Sequence, residues 1–69
     1  MDRNTLKTLC FLSFEEYMMQ LNLLRRMAKL AGSDDVADVI QLIERDERAG
    51  HKRLMDFLSL NLSAEKGGE

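Results

Sequence analysis

The tetrapeptide Gly32-Ser33-Asp34-Asp35 separates two long stretches in which apolar residues recur every three or four positions, and no proline interrupts either one. That spacing lays apolar side chains along one face of a helix. Gly32 suits the left-handed position just past a helix end. Ser33 or Asp34 can then cap the next helix, while Asp34, Asp35 and Asp38 put carboxylates near the positive end of its dipole. The expected fold is all-α, an antiparallel helical hairpin turning at this break.

The first arm opens on Ser13-Phe14-Glu15-Glu16, which has the S-x-x-E form of a capping box, with Leu12 and Tyr17 placed to close a hydrophobic staple. This predicts a helix over 14–31 whose main face carries Phe14, Tyr17, Met18, Leu21, Leu24, Ala28 and Ala31. Residues 5–12 then read as a separate short N-terminal helix, started by Asn4. The alternative is one helix continuous through Ser13. It would put Leu6, Cys10, Phe14, Tyr17 and Leu21 on a common face and match the two arms in length.

The second arm keeps one phase from Val36, Val39, Ile40 and Ile43, through Glu47 and Gly50, to Leu54, Phe57, Leu58 and Asn61. A single helix over 35–61 is expected, about 40 Å long at the α-helical rise. Gly50 costs such a helix about 1 kcal/mol relative to alanine, so it marks either a close backbone approach or a kink. Residues 1–62 read as one helical domain and 63–69 as a flexible tail.

A chain of 69 residues buries only about 60% of its extended surface and stands near the lower limit of independent stability. The first arm nevertheless carries a second apolar stripe. Met19, Leu23, Met27 and Leu30 fall roughly opposite its main face, with Glu15, Asn22, Arg26 and Lys29 to one side. Leu42 and Leu60 are the equivalent positions on the second arm. A helix that is polar along one edge only must be covered from more than one direction. These six residues are therefore the expected protein interface, and a second copy of the chain is the expected cover, giving a homodimeric four-helix-bundle-like assembly. A different protein, or the N-terminal segment folding back, would serve the same need.

Ten Lys and Arg against twelve Asp and Glu leave a net charge of -2, which supplies no global attraction to nucleic acid or to an anionic membrane. A local basic face remains open: Arg45, Arg48 and Lys52 share one side of the second arm with Arg53 adjacent, and Arg25, Arg26 and Lys29 cluster on the first. Such a stripe could track phosphates, although Glu44, Asp46, Glu47 and Asp56 dilute it and Glu44 pairs with Arg48 at i,i+4. No apolar run reaches the length that spans a bilayer or forms a signal-peptide core. The cytoplasm is the expected compartment.

Chemistry has few candidates. Cys10 is the sole cysteine, so the chain can form neither an internal disulfide nor a cysteine-based zinc site, and it reads as a small packing residue. His51 is the sole histidine and follows Glu44 and Glu47 on one side of the helix. The spacing departs from both the Glu-x-x-His pattern of di-iron bundles and the paired histidines of helical zinc sites. A Glu47–His51 pair at the edge of the core is the simpler expectation. No phosphate loop and no nucleophile with a sequence-adjacent base appears. A non-enzymatic protein without cofactor or metal is expected.

From about Phe14 to Leu60, the hairpin's size and layout resemble the small plasmid copy-number regulators that dimerise into a four-helix bundle and bind paired RNA loops. The resemblance rests on layout and carries no residue role across; it implies dimerisation and, more weakly, RNA binding. The expected function is that of a small regulatory or adaptor protein acting through helix–helix contacts as a homodimer. The alternative is a nucleic-acid-binding regulator using Arg45, Arg48, Lys52 and Arg53.

Overall fold

A computed structural model describes the backbone of residues 1–67 and the side chains of residues 1–60. Two helices make up the fold, α1 over Arg3–Leu30 and α2 over Asp34–Gly67, packed side by side as a hairpin. The helix expected over 35–61 is contained in α2. The tail expected over 63–69 falls outside the residues whose side chains are described.

The short N-terminal helix expected over 5–12 is not separate. One helix runs unbroken through Ser13, and its N-cap is Asp2, whose Oδ1 accepts a hydrogen bond from the Thr5 amide at 2.7 Å. The physical reason is a competition between a cap and a turn. A serine cap contributes about 1 kcal/mol. Breaking the helix at Ser13 would instead leave the backbone groups of two new helix ends without intrahelical partners and would unseat the first turns from α2. No glycine or proline between Arg3 and Leu30 favours the break.

The reversal at the other end of α1 follows the sequence. Gly32 adopts φ +77, its amide donates to Lys29 O at 3.0 Å, and the Ser33 amide donates to Ala28 O at 2.9 Å. These two bonds form a Schellman closure, which glycine alone completes without strain. Ser33 O accepts the first helical bond of α2 from Ala37 at 3.1 Å, and Asp34 and Asp35 occupy the first turn.

The seam between the helices repeats every seven residues. Lys7, Phe14, Leu21 and Ala28 of α1 run against Ala37, Glu44, His51 and Leu58 of α2, the interval that keeps one side of a helix facing an antiparallel neighbour. Near the turn, Ala28 and Ala37 are both buried, and their small side chains let the backbones approach. Leu21, Ile40 and Leu58 supply the rest of the buried apolar set. The remaining seam positions are polar or aromatic: Arg25 meets Glu44, Phe14 meets His51, and Lys7 Nζ donates to Ser59 Oγ at 2.6 Å.

Candidate interaction surface

Among the described residues, five hydrophobic residues are buried while eighteen large hydrophobic side chains are exposed, so most of the apolar surface lies outside the seam. Ten of the eighteen share one side of the hairpin. At 100° per residue, Leu6, Leu9, Tyr17, Leu24 and Met27 flank the seam on one side of α1. Because the helices are antiparallel, the matching flank of α2 lies on the same side of the hairpin, and it carries Val36, Val39, Ile43, Gly50, Leu54 and Phe57. The two flanks form one apolar face two helices wide. The opposite side of the hairpin is mainly polar, carrying Glu15, Asn22 and Arg26 with the exposed Phe11 from α1 and Gln41, Arg45, Arg48 and Lys52 from α2.

An open hollow of about 520 Å³ interrupts the apolar face. Leu6, Leu9 and Leu54 line it toward the chain termini and Tyr17 toward the turn, with Ser13 and Gly50 from the two helices between them. Phe14 and His51 also line it, and their rings stack at 3.9 Å with an interplanar angle of 9°. A Cβ placed on Gly50 would meet nothing within 4 Å. The close approach that Gly50 was expected to permit is therefore not made within the hairpin.

The six residues expected to form the interface are all exposed, but the fold does not gather them. Met19, Leu23 and Leu30 run along the outer edge of α1, where Met19 and Leu23 border a shallow surface with Glu15, Asn22 and Arg26. Leu42 and Leu60 lie along the outer edge of α2, across the full width of the hairpin, and Leu42 borders Asp38, Gln41, Arg45 and Arg48. Met27 alone turns toward the apolar face. What sequence reasoning missed was that the residues of the expected main faces split between seam and flank. The signal was available in the seven-residue interval, which selects Lys7, Glu44 and His51 for the seam and so releases Tyr17, Leu24, Ile43 and Leu54 to the flank.

The expected basic face is partly assembled and locally offset. Arg45 Nε is 3.8 Å from Asp46, Arg48 Nη2 3.9 Å from Glu44, and Lys52 Nζ 2.9 Å from Asp56. At 100° per residue Arg53 falls on a different face of α2 from these three. Glu44 is drawn into the seam, where Arg25 Nε donates to Oε1 at 2.7 Å, so it does not join Glu47 and His51. Among the described residues no group of three or more His, Cys, Asp or Glu is placed to hold a metal ion. Cys10 is a half-buried free thiol. No helix among the described residues is long and apolar enough to cross a membrane.

The fold is thus that of a two-helix antiparallel hairpin with one apolar and one mainly polar side. Beyond that class, the chain matches no protein-family model, no curated protein and no solved structure.

Proposed function

We propose that this chain is a small non-enzymatic regulatory or adaptor protein that acts through helix–helix contacts, as a homodimer. The observation that carries this reading is the apolar face. A hairpin that buries so few hydrophobic residues gains little from the hydrophobic effect, at roughly 25 cal/mol per Å² of apolar surface removed from water. A second hairpin laid on that face completes a four-helix bundle and gives each helix two neighbours. The side chains on offer suit regulation by association: aliphatic and aromatic anchors with a polar surround, and Met27 at the margin to adapt the fit.

Sedimentation equilibrium over a wide concentration range tests it. A species of twice 7.9 kDa is expected, and a monomer at every concentration would remove the homodimer. The rival reading, RNA binding along Arg45, Arg48 and Lys52, predicts an affinity that falls steeply with salt. With carboxylates beside each of these cations, no such affinity is expected.

A further inference from the structure

The hollow beside Gly50 gives the apolar face a polarity along its length. It lies on the terminal side of the hairpin's midpoint, whereas Tyr17, the one tyrosine on the face, stands at the middle of α1 (Arg3–Leu30). Gly50 keeps the hollow open although no contact within the hairpin requires it, since a Cβ there would meet nothing within 4 Å. A helix-interior glycine without an internal reason, on an exposed apolar face, fits a site kept clear for a side chain from outside.

We propose that the occupant is a second copy of the chain, docked face to face with its turn at the opposite end, so that Tyr17 of each copy enters the hollow of the other between Ser13 and Gly50. This rests on the homodimer reading and adds its orientation and its central contact.

Three observations converge on it. First, two helices of about 10 Å diameter along the length of α1 (Arg3–Leu30), about 40 Å at the helical rise, present a face of roughly 800 Å². That matches the roughly 800 Å² per partner of a standard interface. Second, a second hairpin has the same two-helix width and the same length along α1, so it covers the face fully. Third, the knob and hole lie on either side of one level near the midpoint. A two-fold axis across the face there brings Tyr17 of one copy over the hollow of the other. It also sets the terminal block of Leu6, Leu9, Leu54 and Phe57 against the turn-proximal block of Leu24, Met27, Val39 and Ile43. With both turns at the same end, each hollow would face the other hollow and leave an unfilled cavity, which packed interiors avoid.

The decisive test is the distance between turns. A nitroxide is attached at Ala31→Cys on a Cys10→Ser background, and dipolar coupling is measured alongside sedimentation. Opposite turns place the labels about 40 Å apart, the length of α1 at the helical rise. A dimer with labels roughly 10–20 Å apart, the scale of neighbouring helix axes, would overturn the orientation and leave the homodimer standing. A monomer by sedimentation would overturn both. Independently, Gly50→Leu projects a side chain into the hollow from a Cβ that meets nothing within 4 Å and is expected to weaken dimerisation at least tenfold with helix content unchanged. An unchanged dissociation constant would reject the knob-in-hollow contact.

Discussion

Arg25 Nε donates to Glu44 Oε1 at 2.7 Å across the seam, and Glu44, at 3% exposure, is the most deeply buried charged side chain among the described residues. The second carboxylate oxygen looks toward Arg48, 3.9 Å away. A charge so placed does little for net stability, because desolvation offsets most of the Coulomb attraction. It does disfavour other alignments. Sliding α2 by one turn would separate Glu44 from Arg25 and leave it only the more distant Arg48 of its own helix.

Removing one partner therefore costs more than removing both. Arg25→Met is expected to destabilise the fold by about 2–3 kcal/mol. That is below the usual 3–5 for a broken buried pair, because Arg25 is 29% exposed and water relieves part of the loss. Arg25→Met with Glu44→Leu should recover most of that stability. Urea unfolding at one fixed protein concentration reads both; a single mutant as stable as the parent would mean that Arg48 or solvent suffices for Glu44.

The Phe14–His51 stack lies at the floor of the hollow, with Phe11 a more distant neighbour of the imidazole at 6.4 Å between ring centres. A stacked aromatic pair contributes about 0.5–1.5 kcal/mol beyond its area. A double-mutant cycle of Phe14→Leu and His51→Leu should return a coupling energy in that range. A coupling near zero would show that the rings touch without helping each other.

Asp2 gives the N-terminal cap a defined pH dependence. The hydrogen bond from the Thr5 amide, helped by the Thr5 side chain, holds its carboxyl below the ordinary value of 3.8. A folded-state value depressed in this way contributes stability that is present above the ordinary value and lost as pH falls through the folded one. Amide exchange at Thr5 should accordingly quicken in that acid window relative to mid-helix amides. In Asp2→Ala the extra acid step should vanish; its persistence would place the titration elsewhere.

Sequence legibility divided along physical lines. The turn was legible because Gly32 meets a backbone demand that few residues satisfy, and the long second helix because Val36 to Leu58 hold one phase. The unbroken first helix was not, since Ser13-Phe14-Glu15-Glu16 scores as a start whenever the upstream turns are ignored, and Asp2 supplies a competing cap. The seam was harder still. Hydrophobic periodicity finds apolar residues, yet half of this seam is Lys7, Arg25, Glu44, His51 and Ser59, whose partners lie on the other helix and leave no local trace. Choosing the more apolar positions as the core drew the expected face between the true seam and its flank.

That displacement yields the sharpest discriminating experiment. Leu24 and Ile43 sit on the apolar face of α1 and α2, close to the turn, whereas Leu23 and Leu42, one position before each, sit on the outer edges; all four are exposed in the single hairpin. Glutamate at any of them therefore meets water in the monomer and leaves the fold intact. In a dimer closed on the apolar face, Leu24→Glu with Ile43→Glu buries four unpaired carboxylates, each costing several kcal/mol. Association should be abolished, while Leu23→Glu with Leu42→Glu should leave it within a factor of a few. Sedimentation velocity on both double mutants, with circular dichroism to verify equal helicity, makes the comparison. The reverse outcome would move the interface to the outer stripe of Met19, Leu23 and Leu30. Dissociation by both pairs would point to an assembly larger than two hairpins, with each helix covered on its flank and its outer edge.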